Sequence, residues 1–150
     1  MTLKKPIVTG FLLLWLLCLT ANALENQNED IPFGVRMLLN EAYKHFDNQE
    51  YKKAIETLDV FRAKGKNGSD HYLIDFSLGN AWLHLNNPTR AASFYESTII
   101  KNKDFSAAWL NLARCRYDLS KFKKAAENFK TGYETSSSKQ GEPLSSHAAS

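Results

Sequence analysis

SLGNAWLHL, residues 77–85, decides how this chain folds. Its apolar residues recur at helical spacing, yet Gly79 sits in mid-run, where glycine weakens a helix by about 1 kcal/mol relative to alanine. A glycine there makes sense where a neighbouring helix must come close. Sliding the sequence along itself identifies the neighbour. Leu78 returns as Leu112, Ala81 as Cys115, Leu85 as Leu119, Ala91 as Ala125, Ala92 as Ala126 and Tyr95 as Phe129, each 34 residues on. Ala54 and Leu58 repeat the Ala91/Tyr95 pair one period earlier at an offset of 37, with the extra residues taken up in AKGKNGSD, residues 63–70.

A period of this length holds two helices of about 12 to 15 residues and two short turns. The pattern predicts helices over His71 to Leu85 and Pro88 to Lys101, with Pro88 suited to a helix start. The corresponding pairs are Phe33 to Asp47 with Glu50 to Ala63, and Phe105 to Leu119 with Lys121 to Glu134. Asp104 and Ser120 are the expected N-caps. Gly79 then lets the two helices of its pair approach near Tyr95, with Ala42 and Ala113 doing the same in theirs. One such hairpin cannot bury its apolar faces alone, whereas three stacked hairpins can.

These residues carry a family resemblance. Asp75, Leu78, Gly79 and Trp82, then Trp109, Leu112, Ala113 and Arg116, fall at the W-x2-L-G-x2-Y places of the tetratricopeptide repeat, with the A-x3-F feature at Ala91/Tyr95 and Ala125/Phe129. The first copy is weaker, with Leu38, Glu41 and Ala42, and Lys103 stands where the family's late proline would fall in the second. The chain resembles that family from about Val35 to Glu134. The resemblance implies an all-α, right-handed superhelical stack of three hairpins, near 35–71, 72–105 and 106–134.

Outside the repeats, Lys4 and Lys5 precede the apolar run IVTGFLLLWLLCLT, and Ala21-Asn22-Ala23 has the small-x-small form read by signal peptidase. Residues 1–23 are therefore expected to be a cleaved leader and 24–34 a linker, with an uncleaved anchor as the alternative. Periplasmic export is the expected destination, with secretion or membrane anchoring as variants. Residues 135–150, TSSSKQGEPLSSHAAS, have the composition of a flexible polar tail.

Loss of the leader removes two lysines and no acid, leaving 17 basic and 16 acidic residues, a net charge of +1. That removes the concentrated basic surface nucleic-acid binding draws on. KFKK, residues 121–124, reads as a solvated helix start. Only Cys115 survives cleavage, which excludes an internal disulfide. It reads as a small buried residue, with intermolecular pairing as the sharper alternative. His45, His71, His84 and His147 lack metal-ligand spacing, and Gly65 and Gly68 belong to a turn rather than a phosphate loop. No catalytic residue, metal or cofactor is expected. Asn67-Gly68-Ser69 fits a glycosylation sequon.

By the resemblance, the first helices of the hairpins line an inner groove. Carried over place by place, it is formed by Arg36, Leu39, Tyr43, Phe46 and Asp47, then Leu73, Phe76, Asn80, Leu83 and His84, then Ala107, Leu110, Arg114, Tyr117 and Asp118. The family's carboxylate clamp for chaperone C-termini needs Lys, Asn and Arg where this chain has Leu39, Tyr43, Ser77 and Ala107, and only Asn111 fits. The expected function is a non-catalytic module gripping a protein or peptide segment in an envelope or secretion-related complex. Self-assembly through the repeat ends and an accessory role beside an envelope enzyme are the alternatives.

Overall fold

A computed structural model describes residues 31–65 and 67–140, so the expected leader and most of the expected linker lie outside the described residues. Six helices and no strand are found among those residues: α1 (Phe33–Asp47), α2 (Tyr51–Ala63), α3 (Tyr72–His84), α4 (Pro88–Lys101), α5 (Ser106–Asp118) and α6 (Phe122–Gln140). They pair as α1 with α2, α3 with α4 and α5 with α6, and successive pairs pack on one another. No helix of the described residues is long and apolar enough to cross a membrane.

The periodicity is written into the backbone. Each hairpin turns through a residue in the left-handed region: Gln49 at φ 59°, Asn86 at φ 57° and Ser120 at φ 58°. In each, the next backbone N–H donates to a carbonyl five residues back, Glu50 to His45 at 2.8 Å, Asn87 to Trp82 at 2.9 Å and Lys121 to Arg116 at 2.8 Å. This closes the helix C-terminus in the manner usually given to glycine. Ser120 therefore belongs to the turn and does not cap α6. Nor does Asp104 cap α5; its N–H donates to Asn102 Oδ1 at 3.1 Å, and Phe105 holds the cap position. Because a side chain is strained at positive φ, Ser120→Gly is expected to stabilise the fold by about 0.5 to 1 kcal/mol, read as a higher urea midpoint at unchanged slope.

Gly79 has the neighbour the period predicts. A Cβ built on it would lie 2.6, 2.9 and 3.0 Å from three ring carbons of Tyr95, which is fully buried. Tyr95 packs with Ala91, Ala92, Leu112 and Cys115, flanked by Phe76, Trp82, Leu83 and Ile99, so one cluster joins the second and third hairpins. Val35, Leu38, Ala42, Ala54 and Leu58 bury the equivalent interior of the first. Burial, and next Asp118, push the Cys115 thiol up to about 11, with Arg114 opposing, so it is protonated at neutral pH. A thiol in that form is a poor nucleophile.

A charged cluster stands where hydrocarbon would be expected. Asp75 occupies the place of Trp109 and Leu38 in the neighbouring hairpins, yet it is 1% exposed. Its Oδ2 accepts from Ser97 Oγ at 2.6 Å and pairs with Lys101 Nζ at 2.7 Å, while Arg62 of α2 approaches Oδ1 to 3.8 Å. Lys101 also pairs with Asp70. Residues from α2, the following loop, α3 and α4 are thus tied together. Between the second and third hairpins Arg116 does similar work, donating to Asn128 Oδ1 and Glu96 Oε1, both at 2.9 Å.

The expected boundaries need one correction, since α1 begins at Phe33 as the expected helix Phe33 to Asp47 has it and takes in the last two residues of the expected linker. At the other end α6 continues to Gln140, six residues past the expected stop at Glu134 and into the expected flexible tail. The hydroxyls that suggested flexibility are satisfied inside the helix. Thr131 Oγ1 donates to the Glu127 carbonyl at 3.0 Å, Thr135 Oγ1 to the Thr131 carbonyl at 2.8 Å and Ser138 Oγ to the Thr135 carbonyl at 3.0 Å.

Candidate peptide-binding wall

The positions named from the sequence recur at i, i+3, i+7 and i+10 along α1, α3 and α5, which places them on one stripe of each helix. None is fully buried. Neighbouring helices nevertheless consume several of them. Phe76 meets Phe105 edge-on at 4.9 Å between ring centroids and Tyr95 at 5.7 Å, and Leu83 packs on the same cluster. Leu110 lies against Gly132 of α6, with Cδ2 2.8 Å from where a Cβ would stand, so it largely serves the α5–α6 contact. These three act as floor rather than as anchors.

At the α1 end, His84 stacks on Tyr51 at 4.6 Å with 8° between planes, and Phe46 sits edge-on to both at 5.9 Å. Tyr43 extends this cluster, 6.1 Å from Phe46, and is itself 53% exposed. In the middle, Asn80 Oδ1 accepts from Tyr95 Oη at 2.8 Å and from Asn111 Nδ2 at 3.3 Å, linking α3, α4 and α5. Burial drives the Tyr95 phenol well above its ordinary range, so it remains a donor. At the α5 end Tyr117 is 60% exposed and meets Phe122 at 5.3 Å. Arg36 and Arg114 are exposed, Leu39 and Leu73 half-buried.

The resulting surface has a fixed aromatic and amide floor and, beside the partly engaged but exposed His84 and Leu110, the large exposed side chains of Arg36, Tyr43, Arg114 and Tyr117. Rigid aromatics and guanidinium groups of this kind are the usual energetic anchors of protein contacts. Among the described residues no group of His, Cys, Asp and Glu is placed to hold a metal ion.

Sequence reasoning missed a second concavity. An open hollow of about 610 Å³ lies along α1, lined by Met37, Glu41, Lys44 and Asn48 with Glu50 just before α2 and Phe61 within it. His45 Nδ1 pairs with Glu50 Oε2 at its edge, 2.9 Å apart. Hydrogen bonds from Lys53 and then His45 hold the Glu50 carboxyl below its usual range. The signal was present in the repeat: Glu41 stands where the buried Leu78 and Leu112 stand, which marks this face of α1 as polar.

With this geometry in hand, comparison with known proteins places the fold. The family model described as tetratricopeptide repeat matches residues 39–105. The described helices stack as hairpins in the way tetratricopeptide repeats do, and the third hairpin lies beyond the matched stretch. Comparison with curated proteins finds no match.

Among solved structures, the chain is similar to the tetratricopeptide domain of Sgt2 from Aspergillus fumigatus, at 22% identity and TM-score 0.62, covering 68% of this chain and 66% of that one. It is also similar to the Yersinia enterocolitica type III secretion chaperone SycD in complex with a peptide of the translocator YopD, at 15% identity and TM-score 0.61, covering 72% and 80%. A third is the second tetratricopeptide domain of Spaghetti (RPAP3) bound to the HSP90 peptide SRMEEVD, at 19% identity and TM-score 0.59, covering 73% and 95%. The match thus spans just under two thirds of the fungal domain. These likenesses concern the fold.

Proposed function

We propose that this chain is an exported, non-catalytic interaction module that holds a partner polypeptide along the α1–α3–α5 wall and organises an envelope or secretion-related complex. The observation that carries the reading is the set of large wall side chains left exposed, Arg36, Tyr43, Arg114 and Tyr117. Two of the similar folds were solved with peptides, the translocator segment and SRMEEVD, which supports a peptide as the occupant here. The leader-like residues 1–23 support export.

The wall chemistry favours an apolar or aromatic segment over an acidic terminus. Ser77, at a place where the clamp would hold a carboxylate, is buried, and Asn111 is engaged with Asn80. Crosslinking in the native compartment followed by mass spectrometry should recover a partner, and the chain isolated there should begin at Leu24. Tyr43→Ala/Tyr117→Ala should weaken binding of that partner by roughly 30- to 700-fold, given about 1 to 2 kcal/mol at each anchor, with helicity unchanged. SRMEEVD should show no saturable binding. Equal affinity for the double variant would move the site off the wall. Intact residues 1–23 in the mature chain, or retention in the cytoplasm, would remove the export part.

A further inference from the structure

The two ends of the array are built differently. At the α1 end, Met37, Glu41, Lys44 and Asn48 occupy the places of Ile74, Leu78, Ala81 and Leu85 in α3 and of Ala108, Leu112, Cys115 and Leu119 in α5. Charged and amide groups thus solvate the face where a preceding hairpin would pack. At the α6 end no such change occurs. Ala126, Phe129 and Tyr133 stand 34 residues after Ala92, Tyr95 and Ile99, which pack in or against the buried cluster between the second and third hairpins. Tyr95 is fully buried, whereas Phe129 is 44% exposed and Tyr133 63%. The α1 edge is mostly polar, with Met37 its exposed apolar residue at these places, while the α6 edge keeps the composition of an interface.

Head-to-tail stacking of copies would press the stripe against Glu41 and Lys44. A second α6 suits it better. Alongside the aromatic stripe runs a charged one, Lys123, Glu127, Lys130 and Glu134, at i, i+4, i+7 and i+11, with Lys130 and Glu134 already 3.9 Å apart within the helix. In an antiparallel helix pair a flanking stripe meets its own counterpart. With the two-fold axis between Asn128 and Phe129, Lys123 falls opposite Glu134 of the second copy and Glu127 opposite its Lys130. The pattern is then complementary to itself, whereas in a parallel pair this stripe would face the partner's other flank and have no such counterpart.

We propose that α6 is the interface of a two-fold homodimer in which two copies pack their Ala126/Phe129/Tyr133 stripes antiparallel, flanked by reciprocal Lys–Glu pairs. A helix of this length spans about 28 Å, and one helix per partner is a small interface, so the dimer forms at micromolar concentration. The proposal does not rest on the peptide wall, since α1 and α3 lie outside the interface.

Sedimentation equilibrium of the chain as isolated from its host, from low micromolar to submillimolar concentration, should show the mass rising from one chain to two and stopping there. Tyr133→Glu and Phe129→Glu/Tyr133→Glu should remain single chains with unchanged circular dichroism, and the first keeps the test valid if the second fails to fold. Lys130→Glu should weaken association at least tenfold, and Glu127→Lys/Lys130→Glu should restore it. A single-chain mass throughout would overturn the proposal, as would growth beyond two chains or a dimer indifferent to Tyr133→Glu. So would a monomer that dimerises only when residues 141–150 are removed, which would make those residues the occupant.

Discussion

Gly79→Ala is expected to lower the melting temperature by roughly 5 to 10 °C, although alanine is the better helix former by about 1 kcal/mol. The added methyl would fall 2.6 Å from Tyr95 Cε1, well inside van der Waals contact. The ring cannot retreat, being fully buried, hydrogen-bonded through its hydroxyl to Asn80 and packed on Phe76. Overpacking of this kind costs about 1 to 3 kcal/mol, and for a ring that cannot retreat the upper part of that range outweighs the propensity gain, for a net loss of about 1 to 2 kcal/mol. The first hairpin suggests the rescue, for it carries Ala42 and Leu58 at the equivalent places, both buried. Gly79→Ala/Tyr95→Leu should therefore be less destabilised than the sum of its two single changes, a coupling readable in a double-mutant cycle of urea melts. An alanine variant as stable as the parent would mean that the ring does not hold the position described.

The second large effect concerns the ion cluster. Lys101→Met is expected to cost about 3 kcal/mol, because it leaves a carboxylate that is 1% exposed with a hydroxyl and a guanidinium 3.8 Å away. Asp75→Leu/Lys101→Met should lie within about 1 kcal/mol of the parent or above it, since a buried pair is often replaced by hydrocarbon without loss. Leu38 shows that the fold accepts leucine at this place. Burial works against the Lys101 ammonium, but its hydrogen bonds to Asp70 and Asp75 outweigh it and raise its pKa above the ordinary 10.5. A raised folded value means that the contribution is complete below pH 10.5 and declines as pH rises through the folded value. Urea unfolding against pH should show this alkaline loss in the parent and a smaller one in the double variant.

Much of the architecture was legible because helix pairing is encoded locally. The 34-residue recurrence fixed which helices pair, and Gly79 fixed where one pair comes closest. The errors were local too. Thr135 and Ser138 were read as loop-forming, but hydroxyls that donate to carbonyls of the preceding turn can stay helical. The caps at Asp104 and Ser120 followed from residue preference, whereas a left-handed turn at Ser120 completes the hydrogen bonding of the preceding helix instead.

The wall was less legible. All its named residues share a stripe, but Tyr43 and Tyr117 remain exposed while Phe76, Leu83 and Leu110 are drawn into contacts with Phe105, the central cluster and Gly132. A stripe specifies direction; whether a side chain on it stays free depends on what the next helix brings. Asp75 makes the same point. Its position in the repeat is visible in the chain, but its partners Arg62, Ser97 and Lys101 come from two other helices.

The amino-acid sequence by itself determined an all-helical array of hairpins and the glycine-to-tyrosine contact, because periodicity and residue volume are properties of the chain. Only the tertiary structure decided which aromatic groups are floor and which are anchors, how a buried carboxylate is neutralised, and which edge stays open. Burial and charge compensation are set by neighbours distant in sequence, and those are assigned when the helices pack.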